Sequence, residues 1–500
     1  MVLSPHDRGG LKTKLQERSM DADAFRRYGH EVIDWVADYL KGVEQYPVLS
    51  PVSPGEIRKK LPSNPPLTAE SMGAILADFR EILLPGITHW NHPRFFAYFP
   101  ANNSGPSILG ELISAALGVN AMVWQSSPAA TELEEHVMDW LRQMLDLPEQ
   151  FRGVIQDTAS TATLCALLCA RERLSQHQIN AVGFPDCSSA GAMRVYASTE
   201  AHSSVEKGLK IAGFGAKNLV KVSVDQDFAL DPQDLEARIR SDLQQGLQPC
   251  CVVATVGTTS STAIDPLRAI GEIAEHHGLW FHVDAALAGS AAILPEKRWI
   301  LDGIELVNSF VFNPHKWLFT NFDCSALFCK DPEILTSTFS ITPEYLKTDL
   351  DRQVTNFRDW GIQLGRRFRA LKLWFVLRHY GIEGLQQVLR DHLQWTQEFK
   401  EWVEQNPLFE LLAPVPLNTV CFRFNPEKHS GKSLTPEELD LLNKSLLDEV
   451  NQSGKIFMTH TRLRRNLCLR LCVGQTQTRR DHVMEAWETI QGCSVVKSWR

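Results

Sequence analysis

Residues 309–329 read SFVFNPHKWLFTNFDCSALFC. Two apolar runs of strand length flank a short interruption in which Lys316 is the only lysine or arginine. Runs that are apolar throughout, rather than alternating, mark strands covered on both faces. Taken alone, Lys316 admits two readings. It is a turn lysine whose ammonium reaches water along its aliphatic stem, or its surroundings disfavour the charged form and leave a neutral amine, nucleophilic toward an aldehyde. The rest of the chain has to decide between them.

The same pattern extends upstream. RVYAS, LVKVSV, CCVVAT and LWFHVD are short β-branched runs, and helical stretches such as DPQDLEARIRSDLQQG and DPLRAIGEIAEHHG separate many of them. Strand–helix–strand alternation predicts an α/β fold with a mostly parallel sheet covered by helices. Near the N-terminus, DADAFRRYGHEVIDWVADYLKGVEQY carries apolar residues at helical spacing behind an Asp cap. The proline-rich PVLSPVSPGEIRKKLPSNPPL that follows reads as an extended arm with no core of its own, one that must lie on something else, such as another subunit. From about residue 374 long helices precede NTVCFRFN, KIFMTH and LCLRLCV, which predicts a smaller α+β domain. The expected division is a helical and extended dimerisation segment over 1–99, a large α/β domain over 100–373 and a small C-terminal domain over 374–500.

Composition narrows the partners. Lysines and arginines number 51 against 59 aspartates and glutamates, a formal charge of −8, which argues against nucleic acid or an anionic membrane as the main partner. The first twenty residues show no apolar signal core, and no apolar run reaches the ~18 residues of a membrane span. Eleven cysteines lie scattered in apolar segments without a CxxC pair, which reads as buried reduced thiols in a cytoplasmic enzyme. His276 and His277 are adjacent near Gly278 and read as a helix-end pair; no HExxH or Cys/His ligand spacing occurs, so no metal is expected. Arg462 to Arg465 reads as a solvated turn between strands.

Ligands of parallel α/β sheets bind off the carboxyl ends of the strands, and several strand ends here carry polar groups. Asp284 closes LWFHVD, where a carboxylate suits a protonated pyridine nitrogen, or caps a turn. Thr158, Ala159 and Ser160 lead from a short strand into a helix, a place for a phosphate or an ordinary N-cap. Asp157 is an awkward neighbour for a dianion. His202 follows a strand and opens a helix, where it stacks on a flat ring or serves as a cap. Gly257, Thr258 and Thr259 follow CCVVATV. Four such strand ends in one sheet, together with the lysine, favour an aldehyde-cofactor site.

The whole set resembles the group II pyridoxal-phosphate decarboxylases, in their aromatic L-amino-acid decarboxylase branch. SFVFNPHKWLFTNFDCSALFCK resembles the lysine signature, and HVDAALAGS, AHSSVEKG, ATVGTT, SSPAATELE, HWNHPRFFAYFP, PEYLK and DWGIQLGRRFRALKLWFVLRHYG follow in the family's pattern, over roughly residues 20 to 490. The resemblance implies a fold-type I architecture with a mostly parallel seven-stranded sheet, pyridoxal 5'-phosphate as cofactor, and a homodimer with active sites at the subunit interface. It makes Lys316 the lysine joined to the cofactor, Asp284 the partner of its ring nitrogen and His202 the stacking ring. Thr158, Ala159, Ser160 and Asn313 match the phosphate loop, and Thr259, Ala286 and His315 match other cofactor contacts. Trp90, Tyr98, Phe99, Pro100 and Ala101 match the substrate pocket, Asn120 and Met122 positions that reach in from the neighbouring subunit, and Gly365 a position where a small residue leaves room for a large ring. Ala101 stands where animal forms carry threonine, Leu287 replaces a tyrosine, and Asp157 stands where glycine or asparagine is frequent; these departures suggest a bacterial-type member.

The resemblance implies decarboxylation of aromatic L-amino acids (tryptophan, 5-hydroxytryptophan, tyrosine, dihydroxyphenylalanine, phenylalanine) to amines and CO2. Tyr345, in the polar and weakly periodic SITPEYLKTDLDRQVTNF, matches the loop residue that returns a proton to Cα. Relatives with phenylalanine there tend to make aldehydes, so Tyr345 favours the amine. The alternatives are an aromatic aldehyde synthase and another fold-type I enzyme.

Overall fold

The computed structural model describes residues 20–187, 191–341, 350, 353–427 and 431–499. The chain divides into two compact units, residues 1–92 and 93–500. In the first, helix α1 (Ala22–Gly42) starts where the Asp21 carboxylate accepts the Ala24 N–H at 2.7 Å, as the sequence predicts. No residue of α1 is buried, and Phe25, Val32 and Ile33 stand exposed. The proline-rich arm is not wholly extended: it holds a short helix over Glu56–Lys60, opened after Gly55 at φ 84°.

The second unit is built on a seven-stranded sheet with β1 (Arg152–Gln156), β2 (Met193–Ser198), β3 (Leu219–Val222), β4 (Gln248–Thr255), β5 (Trp280–Asp284), β6 (Ser309–Phe312) and β7 (Ser325–Cys329), in the order β1-β7-β6-β5-β4-β2-β3. The neighbours from β3 to β6 pair in parallel, and β7 runs antiparallel to both β6 and β1. Six strands therefore share one direction, and the carboxyl ends of β1, β2, β4, β5 and β6 emerge at one edge. The all-apolar strands follow from burial on both faces. On β4, Val252 and Ala254 enter one core while Cys251 and Val253 enter another; on β6, Phe310 and Phe312 oppose Val311 in the same way. Helix α2 (Gly105–Leu117) and helix α3 (Pro128–Met144) precede the sheet, α4 (Ala159–Ser175) follows β1, α5 (Ser203–Ile211) follows β2, and the one-turn α6 (Pro314–Trp317) follows β6.

Helix α7 (Arg369–Gln405) is two helices meeting at Gly381, whose φ of 63° and ψ of 172° break the spiral. It leads to an antiparallel sheet of β8 (Phe409–Leu411), β9 (Thr419–Phe424), β10 (Thr459–Leu463) and β11 (Asn466–Cys472), in the order β10-β11-β9-β8. The strand expected over KIFMTH is displaced to Thr459–Leu463. Its register is set by the turn at Arg464 and Arg465, whose φ values of 47° and 73° belong to a tight hairpin. His276 ends a helix next to Gly278, and all eleven cysteines are free and buried.

Candidate active site

The loops that leave β1, β2, β4, β5 and β6 surround one cavity of about 210 Å³, below the ~300 Å³ at which ligand sites usually begin. Thr158, Ala159, Ser160, His202, Thr259, Asp284, Ala286, Asn313, His315 and Lys316 all line it, so every residue expected at the cofactor meets there. The chain order of these residues has no bearing on their proximity; the shared strand direction brings them together.

Asp284 is the last residue of β5 and is 5% exposed. Its Oδ1 accepts the Ala286 N–H at 3.0 Å, which fixes the carboxylate at the cavity floor. On the same face of β5 lies His282. Its Nδ1 lies 2.8 Å from the Ser309 hydroxyl and 3.2 Å from the Ser309 carbonyl. Burial pushes the His282 pKa down to about 4.

Lys316 rides on α6. Asn102 donates through Nδ2 to the Lys316 carbonyl at 2.7 Å and to the Gly474 carbonyl at 2.6 Å, and its own N–H bonds the His315 carbonyl at 3.0 Å. These bonds hold the backbone that carries the lysine. Lys316 Nζ lies 5.0 Å from the centroid of the Phe99 ring, and the Arg470 guanidinium lies 4.7 Å from the same centroid. Burial lowers the proton affinity of the Lys316 amine, Asp284 opposes that, and Arg470 adds to it. The net direction is toward the neutral, nucleophilic form.

At the head of α4, the Thr158 hydroxyl accepts the Thr161 N–H at 3.4 Å. The Asp157 carboxylate accepts the Thr158 N–H at 2.6 Å and the Gln363 amide at 3.0 Å. Asp157 thus uses one donor of the helix start, and the Ala159 and Ser160 N–H groups keep the orphan character of a first turn. His202 caps α5: its Nδ1 accepts the Ser204 N–H at 3.2 Å, which leaves the other ring nitrogen as the donor. His315 Nδ1 accepts the Cys324 N–H at 2.8 Å, with the same consequence. A buried carboxylate, a primary amine of lowered basicity, a flat ring and a helix start open to an anion suit a phosphorylated pyridine aldehyde, so the donor set fits the expected cofactor.

The substrate positions divide. Phe99 lines the cavity. Tyr98 is half exposed with φ 52°, and its N–H bonds Thr459 Oγ1 at 3.3 Å; Pro100 packs beside Gly474. Ala101 is not among the lining residues. Asn120, Met122 and Gly365 gather elsewhere: Asn120 Oδ1 accepts the Arg366 N–H at 2.9 Å, and the Met122 carbonyl accepts the Arg358 N–H at 2.9 Å. They do not line the cavity of their own chain. Trp90 belongs to the first unit and is 39% exposed. Leu287 is fully buried in the core. Tyr345 lies outside the described residues. No group of residues suited to a metal ion occurs among the described residues. Thr255 and Phe322 also line the cavity, and Asn102 and Arg470 brace it; none of these was among the expected site residues, and no local motif announces them.

Three buried neutral histidines predict an acid limit to stability. Burial depresses His282 to about 4, His315 to about 3 and His392 to about 3; Trp317 Nε1 donates to His392 Nδ1 at 3.0 Å. The unfolded chain binds these protons near pH ~6.5 and the folded chain does not. Stability is therefore complete above that pH and falls as pH drops toward 4, by about 1.4 kcal/mol per pH unit for each proton taken up. Urea midpoints measured from pH 7 to 5 should decline; a flat profile rejects this.

The description "Pyridoxal-dependent decarboxylase conserved domain" matches residues 54–425. Phenylacetaldehyde synthase of Arabidopsis thaliana is 45% identical, covering 95% of this chain and 96% of that protein. Tyrosine decarboxylase 4 of Petroselinum crispum is 43% identical over 96% of this chain and 95% of its own. The crystal structure of Oryza sativa TDC with PLP and tryptamine superposes with a TM-score of 0.91 at 38% identity, covering 96% of this chain and 99% of that one. These relatives are plant proteins.

Proposed function

The chain belongs to the pyridoxal-dependent decarboxylase family, and on that premise we propose that it converts aromatic L-amino acids to aromatic amines and CO2 at the cavity around Lys316. It is a pyridoxal-phosphate-dependent carboxy-lyase of the fold-type I class. The observation that carries the site is the meeting of Lys316, Asp284 and the Ala159–Ser160 helix start in one small cavity.

Pyridoxal phosphate, when bound, supplies an aldehyde for the amino group and an electron-withdrawing ring for the electron pair left as CO2 departs. The protein does the rest. Lys316 offers an amine kept reactive by burial. Asp284 would pair with the pyridine nitrogen and favour its protonated form. The Ala159 and Ser160 N–H groups, with Asn313 and the His315 Nε2–H, would hold the phosphate, and His202 would supply a flat ring for the cofactor to stack on. Phe99 forms an apolar wall beside Lys316 that excludes water from the reacting carboxylate. Tyr98, Pro100, Ala101 and Trp90 belong to the substrate side of this proposal, with Asn120, Met122 and Gly365 contributed by a second copy.

A homodimer fits two observations. Leu109, Leu112, Ile113 and Leu117 leave α2 with an exposed apolar face, and Asn120, Met122 and Gly365 stand away from their own cavity. The three-part division at 99 and 373 is part of the same reading, and eleven free buried cysteines suit a cytoplasmic setting. No helix among the described residues is long and apolar enough to cross a membrane.

The aldehyde synthase at 45% identity keeps a second outcome open, and Tyr345 decides it. A phenol that protonates Cα directs product to the amine; a general acid of this kind contributes ~100- to 10,000-fold. Tyr345→Phe should shift product from amine toward aldehyde, consuming dioxygen and water and releasing ammonia and hydrogen peroxide, read by chromatography and a peroxide assay. Unchanged amine yield removes Tyr345 from the reaction. The proposal as a whole is tested by supplying pyridoxal phosphate and a panel of aromatic L-amino acids and measuring amine, CO2 and peroxide. Absence of amine and CO2 with every member sinks it.

A further inference from the structure

We propose that Asp157 is a positioning residue: it ties the phosphate end of the cofactor site to the segment carrying Gly365, and its charge weakens the hold on the cofactor phosphate. The inference rests on the cofactor site proposed above.

The end of β1 grips residues 360–366 at three successive points. Arg366 Nη2 donates to Glu134 Oε1 at 2.6 Å and to the Ile155 carbonyl at 2.9 Å. Gln156 Nε2 donates to the Trp360 carbonyl at 3.0 Å. Gln363 Nε2 donates to Asp157 Oδ2 at 3.0 Å. The gripped segment in turn holds Asn120 and Ala121, through the Arg366 N–H and carbonyl, each at 2.9 Å. The Asp157 grip differs from the other two in its place. Its other oxygen takes the Thr158 N–H at 2.6 Å, beside the donors that face the phosphate.

Two opposed effects follow. The carboxylate acts as a resident anion at the start of α4, where a helix favours negative charge. It consumes one donor, and it repels a dianion bound to the next two. In exchange, it anchors Gln363, two residues before Gly365, so the wall that this chain lends to the large substrate ring in the second copy is fixed from its own cofactor loop. Hydrogen bonding and charge reside in one side chain and can be separated by substitution.

Asp157→Asn keeps the shape. The Asn carbonyl still accepts the Thr158 N–H, and Gln363 can turn its amide to receive the Asn N–H. The variant loses only the charge, and the expected result is roughly tenfold tighter binding of pyridoxal phosphate to apoprotein, with little change in KM. The ratio to wild type should shrink as salt rises. Inorganic phosphate, used as a competitor against cofactor loading, should show the same preference for the variant. Gln363→Ala keeps the charge and loses the anchor; it should raise KM for an aromatic amino acid several-fold and leave cofactor affinity as in wild type. Cofactor binding to Asp157→Asn no tighter than to wild type overturns the electrostatic half, and an unchanged KM in Gln363→Ala overturns the positioning half. Wild-type protein that loads no cofactor on Lys316 would instead overturn the site itself, and this inference with it.

Discussion

Lys316→Ala will lower kcat for amine formation by roughly four orders of magnitude or more and will abolish the visible absorption of the cofactor-loaded protein. The size of the effect comes from what the side chain does twice over. It would hold the aldehyde end of the cofactor where the substrate amine must arrive, and, being a primary amine, it could be replaced there by the substrate's own primary amine. Alanine removes both functions and leaves the surroundings in place. Asn102 bonds the residue-316 carbonyl rather than the side chain, and the Lys316 N–H bonds the Asn313 carbonyl at 2.9 Å, so α6 keeps its form. Thermal unfolding should move little. Lys316→Arg should not rescue the activity, because a guanidinium stays protonated at working pH and offers no nucleophilic pair. An alanine variant that keeps a hundredth of the wild-type rate, or that still loses its colour on borohydride reduction with a mass adduct at another lysine, rejects the assignment.

The gathering of these residues around one cavity was legible because ligands of parallel sheets bind off the carboxyl ends of the strands. β5 and β6 are buried from end to end and largely apolar, and each stops at a polar residue, Asp284 in one and Asn313 just after the other. The pattern places those groups at one edge without knowledge of any contact. The Asp21 cap and the helical spacing behind it gave α1 for a similar reason, since both signals are local. What escaped was set at long range. Asn102 reaches Lys316 across 214 positions, and Arg470 reaches the Tyr98 carbonyl across 372. Neither stands in a local pattern that names its partner. β10 was displaced because its hairpin turns on Arg464 and Arg465, where the usual signal would be asparagine and glycine. Arg464 lies 4.9 Å over the Phe228 ring and donates to the Gln226 carbonyl at 2.8 Å, so contacts from the α/β part hold a turn that its own residues disfavour. By sequence alone Asp157 is an awkward neighbour for a bound dianion. Its second partner, Gln363, lies 206 positions away, and only that bond explains what the carboxylate holds.

Asp284→Asn should lower kcat roughly a thousandfold while the protein still loads cofactor on Lys316. Asparagine preserves the bond from the Ala286 N–H, since the amide oxygen accepts as the carboxylate does. Packing around a residue that is 5% exposed is also preserved, so the change is confined to one charge. Nothing nearby on the strand replaces that charge. His282, on the same face, offers no anion, and burial pushes its pKa down to about 4. Without an anion at this position, the site would no longer favour a protonated ring nitrogen, and the electron-withdrawing power the cofactor would supply should fall. The loss should therefore fall on kcat, with KM nearly unchanged, because amine and side-chain contacts are made elsewhere. Asp284→Glu, which restores the charge at a shifted position, should recover part of the rate. If Asp284→Asn stays within tenfold of wild type at pH 7, or if Glu recovers no more than Asn, the carboxylate is a structural cap on the turn to Ala286 and the electron sink must be maintained by another group.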